Sequence, residues 1–137
     1  ENLPITLKNK INNLKAKHVY QSKFSQRKLM TIKNEEHKNN SSVHPLVRTH
    51  PETGLKSLYI NPIRIEKIFD LSEDQTITLL DELMEYVNSL KFEYRHRWKA
   101  GDFVIWDNRV LMHKANGNYN MSEKRFLYRI MLQDGNS

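Results

Sequence analysis

Leu7, Ile11 and Leu14 recur at spacings of four and three, the period that lays one stripe of a helix against a core. Pro4 suits a first helical turn. The pattern therefore predicts a helix over residues 4–17, within an N-terminal segment 1–18. From Ser22 to Ser42 the sequence is polar, ends in Asn39-Asn40-Ser41-Ser42, and has no period to anchor it. Residues 19–42 are expected to form a flexible loop, and a loop of this length in a compact domain is either functional or disordered. A mobile flap over the mouth of a site is the reading adopted.

His44 to Thr49 can be a strand, Pro51-Glu52-Thr53-Gly54 has turn chemistry, and Leu55 to Ile60 can return as the second strand of a hairpin. Ser72-Glu73-Asp74-Gln75 has the form of a capping box, after which Ile77, Leu80, Met84 and Val87 repeat at helical steps. A helix over 73–88 follows. Phe92 to Trp98, Asp102 to Trp106 and Arg125 to Leu132 read as further strands, the first two joined by Lys99-Ala100-Gly101. Strand-like segments at short intervals around one helix predict a mostly β fold with α, its antiparallel sheets forming a sandwich or barrel. A jelly roll is one such solution.

Composition narrows the function classes. The 137 residues include no cysteine, so neither a disulfide nor a thiolate site exists in this sequence. No apolar run approaches the roughly 18 residues of a membrane-spanning helix, so no membrane partner is expected. The first residues, Glu1-Asn2-Leu3-Pro4, lack an initiator methionine, a charged n-region and an apolar h-region. A cytoplasmic protein without a signal peptide, and a chain that is part of a longer one, are the corresponding expectations. The net charge of +6 is uneven: residues 8–38 hold nine basic side chains against Glu35 and Glu36, and the remainder is close to neutral. Such a segment can be a nucleic-acid footprint, but it offers only Tyr20 and Phe24 for stacking and matches no binding motif. A solvated segment, with no nucleic-acid partner, is preferred.

Alternation in the last predicted strand puts Arg125, Leu127, Arg129 and Met131 on one face and Phe126, Tyr128 and Ile130 on the other. The two arginines are about 13 Å apart at the Cα level and could meet different anionic groups along one wall. Solvent could equally cover that face.

Three motifs stand in order: His44-Pro-Leu-Val-Arg-Thr-His-Pro-Glu-Thr-Gly54, Trp106-Asp-Asn-Arg109 with His113 four residues on, and Arg125 with Arg129. Together they resemble the C-terminal half of the taurine dioxygenase-type Fe(II)- and 2-oxoglutarate-dependent oxygenases, well over residues 43–132 and more weakly before. The resemblance implies a double-stranded β-helix, a jelly-roll variant that is here incomplete, with iron held by two histidines and one carboxylate. It implies oxidative decarboxylation of 2-oxoglutarate to succinate, coupled to hydroxylation beside a substrate heteroatom. By the same resemblance His113 is the distal iron ligand, and Arg125 binds the far carboxylate of 2-oxoglutarate through its guanidinium fork. Arg129 would pair with a small anionic substrate, a sulfonate or carboxylate, and Trp98 would line the substrate pocket. Arg64 falls where taurine-specific members place an aromatic residue; if it faced the pocket, the substrate would carry more charge or be larger.

The family's remaining ligands form a His-x-Asp or His-x-Glu pair upstream. Only His50-Pro51-Glu52 has that form here, and it would sit in a hairpin turn within a motif that is not the ligand pair in the family. This chain alone is therefore expected to be inactive and to need the upstream half of the same domain as its partner. A homo-oligomer is also compatible. The rival readings are a non-catalytic jelly-roll module and a basic nucleic-acid-binding domain.

Overall fold

A computed structural model describes residues 2–20, 22–24, 40–89, 92–115, 120, 122, 124 and 126–132. Helix α1 is Ile5–Ile11, with Pro4 at its N-cap and the buried Leu7 and Ile11 on its inner face. It stops well short of residue 17. Asn12-Asn13 follows, and asparagine is a weak helix former that competes for backbone hydrogen bonds.

Lys15–Val19 is instead a strand, β1, with Ala16 fully buried. It is the centre of a three-stranded antiparallel sheet in the order β2-β1-β5, where β2 is Ser41–Pro45 and β5 is Ile65–Ile68. Lys15 pairs with Pro45 and Val19 with Ser41 on one side. On the other, Ala16 pairs with Ile68 and His18 with Ile65, across a register shift between Lys17 and His18. The predicted loop over 19–42 thus begins and ends in strand, at Val19 and at Ser41-Ser42. Its middle, and with it the expected flap, lies outside the described residues.

The single strand expected over 44–49 is two strands. β2 ends at Pro45 and β3 is Val47–Thr49, with the fully buried Leu46 between them. Leu46 donates its N–H to the Leu14 carbonyl (2.9 Å) and accepts from the Tyr59 N–H (2.8 Å), so one residue ties the two sheets together. β3 pairs with β4, Lys56–Leu58, in the expected hairpin, Val47 facing Leu58 and Thr49 facing Lys56. Gly54 takes φ +69 in the connection, a left-handed conformation that glycine adopts without a Cβ penalty.

Helix α2 is Glu73–Ser89, and its capping box is formed: Gln75 donates its N–H to Ser72 Oγ (3.2 Å) while the Ser72 N–H donates to Gln75 Oε1 (2.9 Å). Its buried stripe is Thr76, Leu79, Leu80 and Leu83. Of the apolar positions expected to face the core, Leu80 does so, whereas Ile77 is exposed. The core joins this stripe to Leu7, Ile11, Ala16, Leu46, Ile60, Ile65 and Ile68. Lys10 reaches Glu82 (2.9 Å) and the Tyr86 hydroxyl donates to the Asn2 carbonyl (2.8 Å), fastening α1 to α2.

The three strands expected over 92–98, 102–106 and 125–132 are not formed among the described residues. Phe92, Tyr94, Phe103, Ile105, Phe126, Tyr128, Ile130 and Leu132 are all exposed. Alternation assigns residues to faces, but a strand exists only where a neighbour completes its ladder of backbone hydrogen bonds. No such neighbour lies beside these segments among the described residues, which form a sheet-rich fold with two helices and no closed barrel.

Candidate active site

The β3–β4 connection and the Asp107–Arg109 turn meet through a polar network. His50 is buried, and its Nδ1 accepts from the backbone N–H groups of Glu52 (3.3 Å) and Thr53 (3.2 Å). That fixes the proton on Nε2, which donates to Asp107 Oδ2 at 3.1 Å. Arg109 grips the same carboxylate, with Nη2 donating at 2.7 Å and Nε at 3.0 Å, and adds its own backbone N–H at 2.8 Å. Its Nη2 also stands 3.5 Å from Glu52 Oε1. The Arg109 bonds, reinforced by His50, hold the Asp107 carboxyl well below the usual carboxylate range. With both His50 nitrogens committed, His50-Pro51-Glu52 is not a ligand pair, in keeping with its place in a turn. Sequence reading missed this network. The available signal was polar residues of opposite charge in two separate motif turns.

On the three-stranded sheet, His18 of β1 and His44 of β2 stand with ring centroids 5.4 Å apart, and Tyr59 lies 5.4 Å from one and 5.1 Å from the other. The Arg48 guanidinium stacks 4.6 Å from the Tyr59 centroid. Burial, aided by His44, pulls His18 down to about 4. Burial and the Arg48 charge lower His44 as well. His18 Nε2 is buried without a hydrogen-bond partner among the described residues.

This cluster makes stability pH-dependent. An unfolded histidine titrates near 6.5, so as pH falls from there toward 4 the unfolded chain takes up a proton that folded His18 refuses. Stability is full above the unfolded value and is lost on acidification through that window. Because His18 is only half-buried, solvent screening reduces the loss to about 1–2 kcal/mol. Urea midpoints at pH 7.5 and pH 5 measure it, and His18→Asn should flatten the difference; an unchanged slope in that variant would show that other groups carry it.

The sequence-predicted site residues are not brought together by any hydrogen bond, ion pair or ring contact among the described residues. His113 is exposed, its ring 5.0 Å from that of Trp106. Trp98 is partly exposed and meets the edge of His96 at 4.7 Å; His96 in turn donates from Nε2 to Asp102 Oδ2 at 3.0 Å. Arg129 is exposed, with Nη2 2.8 Å from the sulfur of Met131. Arg125 lies outside the described residues. Arg64 is folded back, donating to the Tyr20 carbonyl and stacking 4.5 Å from the Tyr20 ring centroid. Its charge thus has a partner in the fold, which removes the hint of a second substrate anion contact.

A mononuclear iron site of the kind the motifs imply needs three converging ligands. Among the described residues no three His, Cys, Asp or Glu side chains converge to hold a metal. His113 offers one imidazole, so the described residues do not by themselves fit the ion.

A profile of the taurine catabolism dioxygenase TauD, TfdA family matches residues 1–131. An alpha-ketoglutarate-dependent 2,4-dichlorophenoxyacetate dioxygenase of Burkholderia sp. (strain RASC) is 32% identical over 130 residues, 94% of this chain and 43% of the relative. Pentalenolactone F synthase of Streptomyces arenae is 35% identical over 91 residues, 66% of this chain and 30% of the relative. A crystal structure provisionally named as an alpha-ketoglutarate dependent 2,4-D dioxygenase, from Burkholderia xenovorans, superposes with a TM-score of 0.61 at 29% identity, covering 72% of this chain and 38% of that one. The chain thus spans less than half the length of the curated relatives it matches.

Proposed function

The chain belongs to the taurine catabolism dioxygenase TauD, TfdA family, and from that premise we propose that it is the C-terminal portion of a cytoplasmic Fe(II)- and 2-oxoglutarate-dependent dioxygenase acting on a small anionic substrate. The observation that carries the reading is the ordered set of motifs from His44 to Arg129, within a family match that extends over residues 1–131. In this reading the complete domain is a double-stranded β-helix. Its upstream half brings the His-x-Asp or His-x-Glu pair, and residues 1–137 alone are inactive because one imidazole cannot hold iron tightly. When bound, iron and 2-oxoglutarate supply the oxidising chemistry.

The roles of this chain's own residues follow from their chemistry. His113 offers a neutral imidazole nitrogen as a ligand. Arg125 clamps the far carboxylate of 2-oxoglutarate in a bidentate fork. Arg129 meets the substrate's anionic group, and Trp98 supplies an apolar wall. An anionic substrate is supported by the relatives named for 2,4-dichlorophenoxyacetate and (S)-phenoxypropionate, both carboxylates. The test is succinate release by the full-length protein against sulfonates, carboxylates and neutral amines of matched size. Anions should be preferred, and Arg129→Ala should erase that preference. A preference for a neutral amine, undiminished in Arg129→Ala, would overturn the substrate class.

A further inference from the structure

The turn that leads to His113 is closed from within by Asp107. Its Oδ1 accepts the Arg109 N–H at 2.8 Å, and its backbone carbonyl accepts the Leu111 N–H at 3.1 Å. Trp106 Nε1 donates to Asn108 Oδ1 at 2.8 Å, and the Trp106 ring lies 5.0 Å from that of His113. His113 is therefore tied to Asp107 on two sides. Its ring rests on the residue just before Asp107, and its backbone follows closely on Leu111. A shift of Asp107 shifts both supports.

His50 and Glu52 of the β3–β4 connection reach this turn from outside, and they differ in burial. Glu52 stands 3.5 Å from Arg109 Nη2 with its side chain 74% exposed, a setting in which an ion pair contributes little. His50 is 8% exposed, and its Nε2 donates to Asp107 Oδ2 at 3.1 Å. The backbone N–H groups of Glu52 and Thr53 occupy Nδ1, so the hairpin itself places the imidazole proton on the nitrogen that faces Asp107. A buried hydrogen bond to a carboxylate outweighs an exposed ion pair. We propose that His50 is a positioning residue of the dioxygenase reaction, acting through Asp107 to fix the 106–113 turn that carries His113. The proposal rests on the function proposed above. Its imidazole has two separable tasks: Nδ1 orders the hairpin turn and Nε2 orders the Asp107 turn. Asparagine puts an acceptor at the reach of Nδ1 and nothing at that of Nε2, whereas glutamine puts an N–H donor at the reach of Nε2 and leaves the hairpin amides without their acceptor.

The experiment is amide hydrogen exchange of the full-length protein, read by mass spectrometry, with steady-state succinate release measured in parallel. In His50→Asn the peptide spanning 107–113 should exchange about tenfold faster, while the hairpin peptide spanning 50–54 hardly changes. Its kcat should fall about tenfold, the lower end of the effect of residues that orient ligands. The KM for 2-oxoglutarate should stay within about twofold, since Arg125 is untouched. His50→Gln should reverse the exchange pattern and keep kcat within about threefold of wild type. Asp107→Ala should lose at least as much as His50→Asn, and combining the two should cost nothing further. Glu52→Ala, on the same turn but exposed, should match the wild type in both readouts. An unmoved 107–113 exchange or kcat in His50→Asn, equal damage in His50→Gln, or additive losses in the double variant would each overturn the proposal. A wild type that releases no succinate would overturn the dioxygenase reading together with this one; release unmoved in His50→Asn would remove His50 alone.

Discussion

Alanine at His113 in the full-length protein is expected to abolish 2-oxoglutarate-dependent succinate formation, a loss exceeding the roughly 10- to 100-fold effects of residues that merely orient metal ligands. A stability control belongs to the 137-residue chain, where His113 is exposed and its described ring contact is with Trp106, so its removal there opens no cavity. In that chain the unfolding free energy should stay within about 0.5 kcal/mol, as for surface changes generally. Arg125→Lys should behave differently. Lysine keeps the charge but replaces a planar fork with a point charge, so the apparent KM for 2-oxoglutarate should rise while iron-dependent turnover persists at saturation. Wild-type turnover in His113→Ala would remove the residue from the ligand set, and an unchanged KM in Arg125→Lys would reject the second role.

What could be read from the sequence was local. Ser72 and Gln75 announce the start of α2 because a capping box is a contact between residues three apart, satisfied within one turn. The β3–β4 hairpin is likewise encoded in its Pro51-Glu52-Thr53-Gly54 turn. Where helical and strand periods compete, the shorter signal was overridden. Leu7, Ile11 and Leu14 continue a helical stripe past Asn12-Asn13, yet the chain turns there because Lys15–Val19 gains two neighbours as the central strand of a sheet. That gain depends on β2 and β5, 22 or more residues downstream, which no window around Lys15 contains. The break at Leu46 has the same origin, since its N–H and carbonyl are claimed by Leu14 and Tyr59.

The site was legible as a set of motifs and not as geometry. Residue types and order pointed to His113, Arg125, Arg129 and Trp98, but their convergence depends on a sheet that the described residues do not assemble. Each described member rests on a near neighbour instead, His113 on Trp106, Trp98 on His96 and Arg129 on Met131. The His50–Asp107–Arg109 network shows the converse. Its halves are 57 residues apart, so nothing local links them, yet together they dock the turn before His113 onto the hairpin. The motif residues that lie between Asp107 and His113 are thereby tied to the well-packed N-terminal body by charge and hydrogen bonds.

That division of the chain into a packed and an unpacked part can be measured. In the 137-residue chain, Leu83→Ala should lower the unfolding free energy by about 2–5 kcal/mol, the cost of deleting a fully buried leucine side chain and leaving a cavity. Leu83 is completely buried on the stripe of α2 that meets the core formed by α1 and the strands, and none of its surface is available to relax into solvent. Ile130→Ala removes a side chain of the same size from a position that alternation had assigned to a packed or pocket-lining strand. Here it is 87% exposed. With almost no apolar area to lose, its substitution should stay within about 0.5 kcal/mol. Urea denaturation followed by far-UV circular dichroism separates the two outcomes, the midpoint shifting strongly for Leu83→Ala and hardly at all for Ile130→Ala. Equal losses at both positions would mean that residues 126–132 pack as firmly as α2 does, and would restore the strand predicted there.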